Sequence, residues 1–205
     1  MWGMNLPALK WNKNTKSVLW LSLVLAIFVL GAWYLMDQSF VPSNFQSARQ
    51  EGSEISGGIV NILDESLQNL EKIAEADRNY NFSRALNLVD GELEKVNNAK
   101  QKAAELTKVL DKMARAVQEI TPAKARTLAL EAVSSEISLI SHLMIYNDTL
   151  TGLLKTLQYK FSGDIRYDAK DVQTLVESLN KETREINALN DLFNEKMREF
   201  DEVVK

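Results

Sequence analysis

The sequence predicts an all-α protein, in which a single N-terminal transmembrane helix is followed by an antiparallel four-helix bundle. Three observations lead to this fold class. One stretch of 20 residues carries no charge, apolar residues recur three and four positions apart through most of the rest, and the 205 residues include only 8 Gly and 3 Pro. So few Gly and Pro disfavour an all-β fold, which needs many turns.

The uncharged stretch, residues 17–36, has the length and flanks of a membrane-spanning helix. At 1.5 Å per residue it would be about 30 Å long, which matches the hydrocarbon core of a bilayer. Trp20 lies near one end and Trp33 near the other, where aromatic rings favour the membrane interfaces. A cleaved signal peptide is the alternative, but its apolar region normally ends after about 7 to 15 residues. We therefore expect an uncleaved anchor in contact with lipid.

The charges beside this stretch predict its orientation. Residues 1–16 carry Lys10, Lys13 and Lys16 and no acid. Basic residues favour the cytoplasmic side, so we expect a cytoplasmic N-terminus and an extracytoplasmic C-terminal domain at the cell membrane. The predicted organisation is a basic tail at 1–16, the anchor at 17–36, a membrane-proximal segment at 37–58 that joins the first bundle helix, and the bundle itself at 59–205.

Four segments have the apolar spacing of one helix face. Helix A is predicted at 42–77, and Gly57-Gly58 is a point at which it could break. Its predicted core stripe consists of Val60, Leu63, Leu67, Leu70 and Ala74. Helix B is predicted at 82–120, and Thr121-Pro122 then indicates a tight reversal into the next helix.

Helix C, predicted at 122–161, has two adjoining apolar stripes, and the wide face that they form predicts the most buried helix. Helix D begins at Asp168 and keeps a near-strict heptad in which Glu182 and Lys196 occupy seam positions. The helices have similar lengths, about 36 to 40 residues, and short connections, which favours up-down-up-down packing. A long three-helix coiled-coil rod preceded by a flexible linker is the alternative.

Several kinds of chemistry are excluded by residues that the chain lacks. There is no Cys and one His, so neither a thiol nucleophile nor a zinc site can be assembled. Paired metals in a bundle use Glu-x-x-His, but Leu139 lies three residues before His142. The acids at 164, 168 and 171 are expected to cap a helix, because Leu175 stands where a calcium loop needs Glu. We therefore predict no catalytic, cofactor-binding or metal-binding residue, no cofactor and no enzymatic activity.

The charge distribution disfavours nucleic acid as a partner. The whole chain has a net charge of −4, and residues 1–16 contribute +3 while 17–36 contribute none. The remaining residues, 37–205, therefore carry −7, and an acidic domain repels a phosphate backbone.

One helix face is a candidate partner surface. Four amide side chains recur every seven residues along helix D and should point away from its a/d seam: Gln173, Asn180, Asn187 and Asn194. Asn is a poor helix former, so exposed Asn is mildly costly compared with Glu or Lys. An uncharged strip among charged neighbours could approach another helix without desolvating ions. A solvated face is the alternative interpretation.

These features predict a membrane-anchored, non-enzymatic helical interaction or scaffold protein of the cell envelope, with a protein partner or a homo-oligomeric state. The alternative is an extracytoplasmic ligand-sensing bundle. The architecture resembles the periplasmic four-helix domains of chemoreceptors, which also carry a second transmembrane helix and a cytoplasmic output domain. Because neither accompanies this bundle, a sensing role is expected to need a separate signalling partner.

Overall fold

The computed structural model describes residues 39–205. The basic tail and the anchor predicted at 17–36 lie outside the described residues and stay predictions. The described part is all-helical, as predicted, and Phe40 and Thr121 form an isolated antiparallel bridge. Its elements are α1 (Ser43–Arg78), α2 (Phe82–Ala116), a short 3-10 helix (Val117–Glu119), α3 (Ala123–Ser162) and α4 (Ala169–Val204).

Ion pairs between neighbouring helices show that the bundle is antiparallel throughout. From α1 to α2, Glu51 pairs with Lys112 and Glu65 with Lys95, so residue numbers rise on one helix as they fall on the other. From α2 to α3, Lys100 pairs with Asp148 and Asp90 accepts a hydrogen bond from Gln158. From α3 to α4, Glu131 pairs with Lys196 and His142 with Glu182, so the numbers again run in opposite directions. The four-helix architecture is therefore correct, and the three-helix rod is wrong because α1 packs along the bundle.

The helix boundaries follow from local residue chemistry. The Asn81 side chain accepts a hydrogen bond from the backbone N–H of Arg84, and that of Asp168 accepts one from Lys170, which caps α2 and α4. Gly163 ends α3 at φ 70°, a conformation that favours Gly. The tight reversal predicted at Thr121-Pro122 is confirmed.

The buried side chains form two apolar clusters along the bundle. The first includes Phe45, Leu110 and Phe200 and lies where the chain enters and leaves the bundle. The second, toward the α1–α2 and α3–α4 turns, includes Ile73 and Leu154. Leu63 and Ile186 pack against both clusters and mark their junction.

Helix α1 corrects two expectations. It continues through Gly57 and Gly58 without a break, because Ile55 before the two glycines and Ile59 after them pack into the core. Its buried face is also rotated from the predicted stripe: Ile59, Ser66, Ile73 and Ala76 are buried, whereas Val60, Leu67 and Ala74 are exposed. Both sets have helical spacing, and only packing decides between them.

The wide apolar face of α3 is only partly covered. Val133 and Ile140 are buried, but three other large side chains of the predicted face are exposed: Leu130, Ile137 and Met144. Among the described helices, α3 is also the one long and apolar enough to cross a membrane by length and composition, and half of its most apolar 18-residue window is buried in the bundle. A core helix of a soluble bundle meets the same criterion, so this finding is weak evidence for a second span.

Candidate functional site

An open groove runs between α1 and α4 at the middle of the bundle. The two helices meet at one end, where the rings of Phe45 and Phe200 lie 5.6 Å apart. Farther along, the groove is lined on α1 from Ser56 to Leu67, about 16 Å of helix. Its volume is about 460 Å³, within the usual range for small-molecule sites of roughly 300 to 1,000 Å³. This space is named the α1–α4 groove below.

The α1–α4 groove is mostly apolar. Its side walls and floor include Ile59, Val60, Leu63, Leu67, Leu139 and Ile186. Val60 and Leu67, on the α1 rim, are 54% and 56% exposed. They belong to the stripe that the sequence assigns to the core, so a second apolar face of α1 supplies the rim of the groove.

Glu136 of α3 is a buried carboxyl in the lining of the groove. It is 6% exposed, and its Oε1 accepts a hydrogen bond from Ser56 Oγ at 3.3 Å. Burial raises the pKa of Glu136, and the Ser56 bond only partly opposes this effect. No Lys, Arg or His of residues 39–205 pairs with it, and none lines the groove.

The other two buried acids lie away from the groove lining, and one oxygen of each has a protein partner, while Glu92 Oε1 is buried without a hydrogen-bond partner among the described residues. Glu182 Oε2 lies 2.7 Å from His142 Nδ1, which accounts for an acid at a seam position of α4. Glu92 Oε2 accepts from the Asn69 amide at 2.8 Å. Glu136 differs from Glu182 because its one bond comes from a neutral hydroxyl, and it differs from Glu92 because its carboxyl lines an accessible groove.

Two further polar side chains lie deep in the bundle. Tyr146 lines the groove, and burial, together with the charge of Glu92, raises the pKa of its hydroxyl. The amide of Asn147 is 1% exposed, and neither its oxygen nor its nitrogen has a hydrogen-bond partner among the described residues. Tyr146 belongs to the second apolar cluster, so these polar groups lie at the edge of that cluster.

The structure places the whole predicted amide strip at exposed positions of α4: Gln173, Asn180, Asn187 and Asn194. Asn187 also lines the α1–α4 groove, together with Asn190. Residues seven apart share a helix face, so Asn180 and Asn194 continue the α4 rim in both directions. The strip thus borders the groove.

A second apolar surface lies on the outside of α3. Leu130, Ile137 and Met144 are 45%, 48% and 37% exposed and follow one another at intervals of seven residues. Small residues, Ser134 and Ser141, fall between them at the four-residue step. A shallow depression between α3 and α4 adjoins this line and is bordered by Leu130, Ser134, Leu189 and Leu192. These features together are named the outer α3 surface.

The acids of the α3–α4 turn have structural roles. Asp168 is the cap of α4, and Asp164 accepts hydrogen bonds from the Arg166 side chain and backbone. The Arg166 side-chain hydrogen bond is the main cause that lowers the pKa of Asp164 to about 2. Among residues 39–205, no three His, Cys, Asp or Glu side chains are arranged to hold a metal ion.

Comparison of the chain with protein-family models, curated proteins and solved structures found no match.

Sequence reasoning did not identify Glu136 as a site residue. The available signal was an acid between Val133 and Ile140, two residues of the predicted apolar stripe. A charge so close to a core face is usually neutralised or solvated at an edge. The sequence signal does not show which helices move apart to leave a groove beside the Glu136 carboxyl.

Proposed function

We propose that this chain is a membrane-anchored, non-enzymatic interaction protein of the cell envelope that associates with a second copy of itself. Residues 17–36 would hold it in the membrane with the bundle outside the cytoplasm. The observation that carries the proposal is the outer α3 surface, where a line of large apolar side chains is left uncovered by the other described helices.

A second copy is the partner that fits this surface best. The bundle is acidic, so two copies repel each other unless they meet through an uncharged area. Leu130, Ile137 and Met144 cover about 21 Å of α3, and the residues between them on the same face, Ser134 and Ser141, are uncharged. The α3 helices of two copies could cross antiparallel at Ile137, so that the large side chains of each copy pack against the serines of the other. Such a self-complementary surface is what a twofold interface requires. Anchoring in one membrane would raise the effective concentration of both copies.

The disruptive test places a charge at the centre of the surface. We expect Ile137→Lys to convert a dimer of the full chain in mild detergent into a monomer, as measured by light scattering during size-exclusion chromatography. Ile165→Lys is the matched control, because Ile165 is fully exposed in the α3–α4 turn. A wild-type monomer, or equal dimer fractions in both variants, would overturn self-association.

The anchor and its orientation have their own test. The chain has no Cys, so single-Cys variants are clean probes in intact cells. An impermeant thiol reagent should label Ser178→Cys but not Thr15→Cys. The opposite labelling pattern would reject the proposed topology.

Ligand sensing is a second candidate function, favoured by the α1–α4 groove and its volume of about 460 Å³. In this second proposal the bundle acts through a separate signalling partner. Val60→Trp should block the groove at its exposed rim without disturbing the core. Native mass spectrometry of the chain purified from its own membranes would then show a bound small molecule in the wild type and not in this variant. The same small-molecule mass in both proteins would place the ligand elsewhere.

A further inference from the structure

We infer that the α1–α4 groove binds an aliphatic ligand carrying one protonated amine, whose ammonium group pairs with Glu136. This inference deepens the second candidate function, ligand sensing, and does not depend on self-association. It rests on the groove, on the burial of Glu136 and on the charges of the residues around it.

The first argument is the incomplete bonding of Glu136. A buried carboxylate is costly unless hydrogen bonds or an opposite charge compensate for the lost water. Glu182 has His142 at 2.7 Å. Glu92 has only the neutral Asn69 amide at 2.8 Å and a second oxygen without a partner among the described residues, but it is enclosed at 0% exposure and does not line the groove. Glu136 has the Ser56 hydroxyl at 3.3 Å and no cation among residues 39–205. An ammonium donor arriving through the groove would supply the missing charge.

The second argument is the sign of the charges in the lining. Two of the lining side chains are acids, Asp64 and Glu136, and no lining residue is Lys, Arg or His. An anionic amphiphile such as a fatty acid would therefore meet like charge and find no cation. A cationic group is attracted both by these acids and by the net negative charge of the bundle.

The third argument is the shape and polarity of the remaining surface. Apolar side chains continue from Ile59 through Leu63 to Leu67 on α1, and Leu139 and Ile186 complete the walls. An aliphatic chain of about eight carbons, roughly 10 Å long when extended, would fit in the roughly 16 Å of lined helix and bury its apolar surface there. Asn187 and Asn190 on the opposite rim can make hydrogen bonds with any polar end.

The test is calorimetric titration of the full chain in lipid nanodiscs at pH 7 with octylamine, which is protonated, and with octanoate as the matched anion. We expect saturable octylamine binding to the wild type and none for octanoate. Glu136→Gln keeps the shape of the side chain and removes its charge, and it should weaken octylamine binding by about tenfold or more. Partition into the nanodisc lipid is the same for all variants and cancels in the comparison.

Two further variants locate the binding. Glu185→Gln removes an exposed acid of α4 outside the groove lining and should leave the octylamine affinity unchanged. Val60→Trp should abolish octylamine binding while circular dichroism shows an unchanged helical content. Equal binding of octanoate and octylamine, or an unchanged affinity in Glu136→Gln, would overturn the inference. Either result would leave dimer formation through Ile137 untouched, so the two proposals fail separately.

Discussion

Arg49 near the start of α1 and Asp201 near the end of α4 form a bidentate ion pair, with Nη1–Oδ1 at 2.7 Å and Nη2–Oδ2 at 2.8 Å. The Ser39 hydroxyl donates to the carbonyl of Val204 at 3.0 Å on the same side. The last helix therefore returns to the point where the bundle begins, as an even number of antiparallel helices requires. This pair also closes the α1–α4 interface at one end of the groove.

The ion pair leads to a prediction about stability and pH. The Arg49 hydrogen bonds lower the pKa of Asp201 below its usual 3.8. The contribution of the ion pair to the free energy of unfolding is therefore present above pH 3.8, and it is lost as the pH falls through the lowered pKa of Asp201. Both side chains are more than one-third exposed, so screening limits the expected loss in Asp201→Asn to about 1 kcal/mol at pH 7.

Denaturant unfolding of Asp201→Asn and wild type should thus give different free energies at pH 7 that converge as the pH falls below 3.8 and through the lowered pKa of Asp201. Asp191→Asn, an exposed acid elsewhere on α4, is the control and should match the wild type at pH 7. A difference that persists undiminished at low pH would show that the ion pair is not its source.

Glu136 should give the opposite pH dependence. Burial raises its pKa above the usual 4.5, so the folded protein holds this proton at pH values where the unfolded chain has lost it. The free energy of unfolding should fall as the pH rises through the window between 4.5 and the raised pKa. Glu136→Gln should lack this component and gain stability relative to wild type across that window. Parallel stability curves for the two proteins between pH 4 and pH 7 would contradict the assignment.

The core position of Ile140 gives a third prediction. Ile140 is 8% exposed in the first apolar cluster, whereas Ile145, five residues later on the same helix, is 48% exposed. Ile140→Asp places an unpaired charge in the core and should cost several kcal/mol, about 3 or more. Ile145→Asp should cost less than about 1 kcal/mol. Thermal unfolding by circular dichroism compares them, and equal melting temperatures would show that the core has been misplaced.

The amide strip gives a fourth prediction. Replacing Asn180, Asn187 and Asn194 together with Lys should leave the melting temperature nearly unchanged, because all three side chains are exposed. If the strip is a seam for a partner protein, cross-linking of that partner in cells should be lost. Retained cross-linking would indicate a solvated face, and a large drop in melting temperature would show that the strip packs inside the bundle.

The helices and their order could be predicted from the sequence because their signals are local. The Asn81 and Asp168 caps, the Gly163 stop and the Thr121-Pro122 reversal each depend on residues within one turn. The rotation of α1 could not be predicted in this way. Ile59 and Val60 are adjacent and similarly apolar, and only the positions of α2, α3 and α4 decide which one is buried.

The candidate sites were less predictable for the same physical reason. The amide strip was visible as a seven-residue repeat on one helix. The α1–α4 groove depends on three helices, and Glu136 of α3 lines it only because α1 and α4 leave a space over it. The exposure of Ile137 likewise could not be derived from its apolar spacing, which is the same as that of the buried Ile140.

Disulfide capture at the centre of the outer α3 surface tests the proposed self-association most directly. The chain has no Cys, so Ile137→Cys introduces the one thiol, and mild oxidation in intact membranes should produce a covalent dimer on a non-reducing gel. Ile165→Cys, equally able to react but located in the exposed α3–α4 turn, should stay monomeric. A dimer band for Ile137→Cys alone is the result that self-association through α3 predicts. Equal dimer formation by both variants, or none by Ile137→Cys, would contradict it.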